Sequence, residues 1–280
     1  MLKYIYHAKK EKKMLDPNVY FEIPDLLKYN HTVRKSPSGE AFTGHSHNLY
    51  EMLYVIKGDA SYVIEGKKYK LKSGDLIITR PRKYHFIQID SAEDYERHNI
   101  IFDRKELGIN TKILPDGLDV INVKRESIID GIFKKLDYYA ENFGEREFTA
   151  VAALLVQEII YNLSLIEEKA DSISSEISPL LSRAIAYIDK NLFKIRSISE
   201  ISDALFVADS YLFRLFKKEL FQTPKKYITE KRLLYAQNQI KKGKRPTEVS
   251  VECGFDDYTT FYRNYSAHFG RAPSSENVGK

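Results

Sequence analysis

The chain is predicted to be an α+β protein of two domains, with a β-rich N-terminal part followed by helices and an all-α C-terminal part. Three observations predict this. Short runs rich in Ile, Val, Tyr and Phe, separated by glycine turns, fill residues 31–103. The hydrophobic period then changes from that of strands to that of helices, and the last third of the chain repeats itself. At 280 residues the chain is long enough for two cores.

Tyr50–Ile56, Ala60–Ile64, Asp75–Thr79, Tyr84–Ile89 and Asn99–Phe102 read as strands, punctuated by Gly58-Asp59, Glu65-Gly66 and Lys72-Ser73-Gly74. Many short strands at close spacing predict a sandwich or a barrel. Next, Ile128, Ile129, Ile132, Phe133, Leu136, Tyr139, Ala140 and Phe143 recur at helical spacing. Phe148, Val151, Ala152, Leu155, Ile159 and Leu163 form a second such stripe. These two helices are expected to pack on the barrel, on each other or on a second subunit. The polar stretch from Glu167 to Pro179 reads as a linker, and from Leu180 the chain is helical, broken at Pro224, Pro246 and Pro273. The resulting division is 1–123 β-domain, 124–166 helical connector and dimerisation region, 167–179 linker and 180–280 helical domain.

Composition excludes some classes. No run of about 18 apolar residues exists, the longest stopping at Gln157, so no segment spans a membrane. Met1–Lys13 alternates apolar and basic residues and lacks the apolar core of a signal peptide, so cytoplasm is the expected compartment. The single cysteine, Cys253, rules out an internal disulfide framework and reads as a buried small hydrophobe. Net charge is only +5, but residues 194–245 hold 13 Lys/Arg against 5 Asp/Glu. That is either a polyanion footprint or a solvated helical face.

The repeat bears on that choice. Tyr211-Leu212-Phe213-Arg214-Leu215-Phe216 recurs as Thr260-Phe261-Tyr262-Arg263-Asn264-Tyr265, and Ile201-Ser202…Leu205 recurs as Val249-Ser250…Cys253. Each copy reads as a short helix, a tight turn and a longer helix. This is the helix-turn-helix plan, whose second helix enters the major groove of double-stranded DNA. Leu212, Leu215 and Phe216 in the first copy, and Phe261, Tyr265 and Phe269 in the second, form the inward stripes. Ser210, Phe213, Arg214 and Lys217, then Tyr258, Thr259, Tyr262 and Arg263, are left on outer faces. Arginine grips guanine bidentately, and hydroxyls reach phosphates or base edges. Arg214 and Arg263 fall at the same point of the repeat, which weighs against two unrelated surface ion pairs.

Residues 180–275 resemble the DNA-binding domain of AraC-type bacterial regulators. The anchors are Ser210–Lys218, the central helix from Pro224 to Lys242, Cys253-Gly254-Phe255, Phe261-Tyr262-Arg263, Phe269-Gly270 and Pro273. The resemblance implies two helix-turn-helix units joined by a rigid helix, reading successive turns of major groove. It places base contacts at Ser210, Phe213, Arg214, Tyr258, Thr259 and Arg263. It further implies a homodimer, and RNA polymerase as partner if the chain activates transcription. Two positions depart from the family: Phe206 stands where Gly, His or Asn is usual, and Phe213 where a polar residue is usual. Val251–Lys280 carries only Arg263, Arg271 and Lys280 against four acids, so the second unit is expected to bind DNA more weakly than the first.

The β-region resembles a cupin barrel. Gly39, His45-Ser46-His47, Glu51 and Gly58 match its first motif. Gly74 and His85 keep the second, where Arg82 replaces a glycine and Pro81 is shifted by one. Residues two apart on a strand share a face, so His45, His47 and Glu51 are expected to point inward and His85 to join them. Such a site suits Fe, Mn, Ni or Zn. Sensor domains of AraC-type regulators commonly retain the same pattern for organic effectors, often sugars. The quartet, with Tyr54 beside it, is therefore read as effector-binding, no cofactor being required and a divalent metal remaining the second reading. His7, His31, His98 and His268 belong to no motif and read as structural. No phosphate-cradling loop, nucleophile elbow or paired zinc-type cysteines appear.

The expected function is a ligand-responsive transcription regulator and not an enzyme, controlling uptake or metabolism of a small molecule such as a carbohydrate. The rival reading is a metal-dependent cupin enzyme, a dioxygenase or isomerase, with an accessory helical domain.

Overall fold

A computed structural model describes residues 19–37, 44–115, 117–165, 173–176 and 178–276; Gly39 and most of the linker lie outside them. The β-part runs β1 (Val19–Ile23), β2 (Leu27–Arg34), β3 (Tyr50–Lys57), β4 (Ala60–Ile64), β5 (Lys67–Lys70), β6 (Asp75–Thr79), β7 (His85–Ile89), β8 (Tyr95–Phe102) and β9 (Val120–Asn122). Two helices follow, α1 (Ile128–Asn142) and α2 (Glu145–Ser164), then β10 (Ile173–Glu176). The C-terminal part is α3 (Pro179–Asn191), α4 (Ser199–Leu205), α5 (Asp209–Leu220), α6 (Pro224–Lys241), α7 (Pro246–Glu252) and α8 (Tyr258–Phe269), with a short 3-10 turn at Pro273–Ser275.

The strands form two facing sheets, ordered β1-β2-β8-β3-β6-β9 and β10-β5-β4-β7. This is the expected cupin-like β-domain in the form of a jelly-roll-like sandwich, its two sheets not closing into one barrel. Side-chain alternation explains both of its faces. Leu53, Val55, Ile77 and Tyr95 point inward and meet Tyr62, Ile64 and Ile87 of the other sheet. Their neighbours Met52, Tyr54, Leu76, Ile78 and Ile100 point outward, under α1 and α2. Ile129, Ile132, Phe133 and Leu136 of α1, with Phe148, Ala152, Val156 and Ile159 of α2, complete that second layer. Ser127 caps α1, its hydroxyl accepting from the Asp130 N–H.

The linker reading needs correction over its described part. Residues 173–176 form β10, which pairs antiparallel with β5, so this segment belongs to the sandwich. The helical part is not set apart either. Val63, Tyr84 and Phe86 of the sandwich share a core with Leu181, Leu212, Phe216 and Leu220. The Tyr84 hydroxyl donates to the Leu220 carbonyl at 2.6 Å, and Phe86 meets Phe221 edge-to-face. Asn48 Nδ2 donates to the Leu234 carbonyl and to Gln237 Oε1 on α6. Lys231 pairs with Glu65, and Arg271 with Asp25.

Candidate functional site: a polar quartet beside two DNA-reading helices

The quartet assembles as expected, by a different route. His45 lies on no named strand; its backbone exchanges two hydrogen bonds with His85, at 3.0 and 2.9 Å, and so is held against the start of β7. Glu51 comes from β3, facing inward opposite Thr79, and His85 opens β7. The ligand-type atoms of His45, His47, Glu51 and His85 all lie within 4.8 Å of one another. Glu51 and His85 are buried, His47 is half-buried and His45 is exposed, so the cluster opens to solvent on the His45 side.

Its hydrogen bonds make it a site that selects positive charge. His47 Nδ1 donates to the Leu49 carbonyl and His85 Nδ1 to the Lys83 carbonyl. The Nε2 atoms of both rings therefore converge on one oxygen of Glu51, at 2.9 and 3.0 Å. Two imidazole lone pairs cannot face a carboxylate unless a cation lies between them, either as ring protons or as a metal ion. Burial would raise the Glu51 carboxyl, but His85 and His47 outweigh it and hold it well below the usual carboxylate range. Burial lowers the His85 ring, yet Glu51 and the Lys83 carbonyl leave it raised.

Tyr54 does not join this cluster. It is two residues from Met52 and three from Glu51, so parity sends it to the opposite face of β3. There it stacks on Phe133 and donates to Asp130 at 2.8 Å. The tyrosine that does reach the quartet is Tyr62, stacked against His85 and 3.3 Å from the Thr79 hydroxyl. Alternation counted from Glu51 excludes Tyr54 from sequence alone; selecting Tyr62 needs the β4–β7 pairing. The space between the sheets is filled by apolar side chains, so the quartet sits at the rim of the sandwich and not in a hollow. Beside it, a cleft of about 230 Å³ is lined by Glu65, Pro81, Arg82, Lys83, Asp189, Leu192, Lys231 and Tyr235, residues of both domains.

In the helical part the repeat is realised element by element, with a longer turn in the second copy. Helices α5 and α8 are both 12 residues long, and α4 and α7 are both 7. Ile201 and Val249, Ser202 and Ser250, and Leu205 and Cys253 are buried pairs at matched positions. Leu212, Leu215, Phe216, Phe261 and Tyr265 are buried as expected, and Phe269 is half-buried. Ser210, Phe213, Arg214, Lys217, Tyr258, Thr259, Tyr262 and Arg263 are all exposed, along the outer faces of α5 and α8. Part of the positive charge counted in 194–245 is turned elsewhere. Lys231 pairs with Glu65 and Asp189, Arg232 is spent on backbone carbonyls, and Lys241 lies 3.8 Å from Asp25. Arg271 is likewise committed, to Asp25 and Glu276.

The two turns explain the Phe206 departure. Phe206 ends α4 at φ +58° and is 91% exposed. Gly254 holds the matching place at φ +76°, where an added Cβ would stand 2.4 Å from the Phe193 carbonyl oxygen. The left-handed conformation is the reason small residues suit this turn. Phe206→Gly is therefore expected to raise stability by about 1 kcal/mol, because the ring it removes stands in solvent. A lower urea midpoint for that variant would show that the exposed ring contributes to the fold.

A helix-turn-helix domain model matches residues 201–276, and a model of the AraC-like ligand-binding domain matches residues 32–117. The probable transcriptional regulator LumQ of Photobacterium leiognathi is 33% identical over 89 residues, which are 31% of this chain and 36% of that protein. The transcriptional activator RhaS of Mannheimia succiniciproducens is 23% identical over 248 residues, 84% of this chain and 88% of its own. Among solved structures, ToxT of Vibrio cholerae is similar over 89% of this chain and 97% of its own, at 13% identity and a TM-score of 0.39. No helix among the described residues is long and apolar enough to cross a membrane. A ligand-binding domain and a helix-turn-helix domain joined in this order, with sequence relatives that regulate transcription, place the chain among the AraC-type ligand-responsive, DNA-binding transcription regulators.

Proposed function

We propose that the chain binds a small polar effector, a carbohydrate being the first class to test, at His45, His47, Glu51 and His85. The effector's presence then alters how α5 and α8 are offered to DNA. The observation that carries this reading is adjacency. Asn48, next to His47, and Tyr84, next to His85, are the residues that hydrogen-bond to Leu234 and Gln237 of α6 and to Leu220 at the end of α5. A ligand that moves the quartet by a fraction of an ångström strains the contacts that seat both DNA-reading units. Coupling of this kind is typically about 1–3 kcal/mol. In this reading the chain acts by binding and not by catalysis. It works as a homodimer, for which the exposed Leu154 and Tyr161 of α2 and Leu165 just after it offer an apolar contact; RNA polymerase is a further partner if it activates. Ser210, Phe213, Arg214 and Lys217 would meet one stretch of major groove, and Tyr258, Thr259, Tyr262 and Arg263 the next.

One observation favours a second reading for the quartet. The His47 and His85 rings are both oriented by Nδ1 donation to a carbonyl, as metal-bound histidines are, and three imidazoles with one carboxylate fit Fe, Mn, Ni or Zn. If a metal were bound, it would polarise an effector's hydroxyl or carboxylate oxygen held at the rim.

The test starts from a duplex selected out of random sequence by the wild-type protein. Arg214→Ala is expected to weaken binding to it by about 1–3 kcal/mol and to relax preference at one base pair, while Lys217→Ala weakens all sequences alike. Unchanged preference in Arg214→Ala would remove α5 from the groove. On the same duplex, a panel of monosaccharides is screened for a change in affinity. Glu51→Ala is expected to abolish the response. Because the quartet adjoins the interdomain contacts, the basal affinity of that variant should shift as well. A response that survives in Glu51→Ala moves the effector elsewhere, and metal analysis of the purified protein separates the two readings.

A further inference from the structure

A second polar cluster lies on the other side of the six-stranded sheet, under α1. His31 on β2 and His98 on β8 are direct cross-strand partners, their rings 4.0 Å apart. Parity puts Tyr29 on the same face, two residues along β2. Asp137, one turn after Phe133 on α1, reaches down between them. Its Oδ2 lies 2.9 Å from His31 Nδ1, and its Oδ1 lies 3.6 Å from His98 Nδ1. The Tyr29 oxygen is 2.6 Å from Asp137 Oδ1 and 2.9 Å from His98 Nδ1.

We propose that His31, His98 and Asp137, with the Tyr29 oxygen, form a binding site for a zinc-class divalent cation that fastens α1 to the sheet. The donor set, two imidazoles and a carboxylate with a phenolic oxygen, suits that class. The spacing does too. Four ligands at about 2.0–2.1 Å from a tetrahedral ion are roughly 3.3 Å from one another; four of the contacts among these side chains, counting both Asp137 oxygens, run from 2.6 to 3.6 Å, and the His31, His98 and Asp137 ligand atoms all lie within 4.8 Å of one another. The ion would take the place of the protons now shared among these atoms, which are released on binding. His31 is oriented from its far side, Nε2 lying 3.1 Å from Glu96 Oε1, the outer support that histidine ligands ordinarily have. An entry path exists, because His98 and Tyr29 are buried while His31, Glu96 and Asp137 are half-buried and reach the surface. The site is independent of the quartet, which lies on the inward face, and holds whether or not the quartet binds an effector.

The experiment isolates this site by removing the other. Full-length protein carrying Glu51→Ala and His85→Ala is stripped of metal and titrated with Co²⁺, read by its visible absorption, and with Zn²⁺, read by bound-metal analysis and thermal melting. One ion per chain is expected, with a rise in melting temperature on adding Zn²⁺. Adding Asp137→Asn or His31→Ala should lower affinity at least tenfold and remove that rise. Glu96→Gln should lower it by roughly 10–100-fold through the lost outer support. Asp137→Asn keeps the size and much of the hydrogen bonding, so it serves if the histidine variants fold poorly. Absence of a bound ion in the Glu51→Ala, His85→Ala protein, or equal affinity in Asp137→Asn, overturns the proposal.

Discussion

Arg232→Ala is expected to destabilise the C-terminal domain by about 3 kcal/mol, a large share of what a domain of this size possesses. Arg232 leaves α6 and donates from Nε to the Leu192 carbonyl, from Nη2 to that of Ile195 and from Nη1 to that of Gly254. The first two belong to the segment between α3 and α4, and the third to the turn after α7. One guanidinium therefore clips the first helix-turn-helix unit to the second. Lysine should not rescue, because a single ammonium cannot span three carbonyls set by a planar fork. Gly254 is fixed in the same place, its Cα facing the Phe193 carbonyl too closely for any Cβ. Urea unfolding of the two variants reads the loss, and an effect under about 1 kcal/mol for Arg232→Ala would mean that α6 packing alone holds the units together. The Arg196 side chain also reaches the Gly254 carbonyl, at 3.2 Å, so Gly254 keeps one donor and the loss falls mainly on Leu192 and Ile195.

The second large effect is a pH dependence carried by Glu230. It is buried on α6 with Lys226 as its charged neighbour at 3.6 Å, and burial pushes its carboxyl up to about 7 against an ordinary 4.5. The folded state thus holds this proton more tightly than the unfolded state does. Its stabilising contribution is complete below pH about 4.5 and disappears as the pH rises through about 7. Glu230→Gln removes that slope. The variant should match the wild type near pH 4.5 and exceed it by about 2–3 kcal/mol at pH 8, since each tenfold difference in proton affinity is worth about 1.4 kcal/mol. Urea midpoints at the two pH values give the comparison, in which other titrating groups cancel. Equal differences at both pH values would place the Glu230 carboxyl in water.

Local pattern brings most of this architecture into view. Strands β3, β4, β6 and β7, the second half of β8 and both connector helices are legible because each is a run of apolar residues with a turn or cap at its ends, whereas the lysine-rich β5 (Lys67–Lys70) carries no such run. The exposed faces of α5 and α8 are legible because the repeat tests each position twice. What is not legible depends on long-range pairing. Strand β10 is four residues without an alternating pattern, and becomes a strand only because β5 offers it an edge. Tyr54 lies close to the quartet in sequence, but odd and even residues of β3 face different layers, and nearness along the chain misleads. His31 and His98 lie 67 positions apart by residue number and match no motif; only the β2–β8 register and the arrival of Asp137 make them neighbours. The shared core of the two domains is also invisible in the sequence, since Tyr84 and Asn48 look like any polar or aromatic residue of a sheet until α6 is laid against them.

Were the core that the helical domain shares with the sandwich to open, the place of β10 would limit how far that domain could travel. Two residues, 177 and 178, separate the end of β10 from Pro179 at the start of α3. While β10 stays zipped to β5, that leash is about 10 Å long at full extension. Unzipping its four residues adds roughly 13 Å more. On a duplex that advances about 3.4 Å per base pair, the two lengths differ by roughly four base pairs of reach. The edge of the sheet thereby couples the pairing of β10 with β5 to the reach of the helical domain.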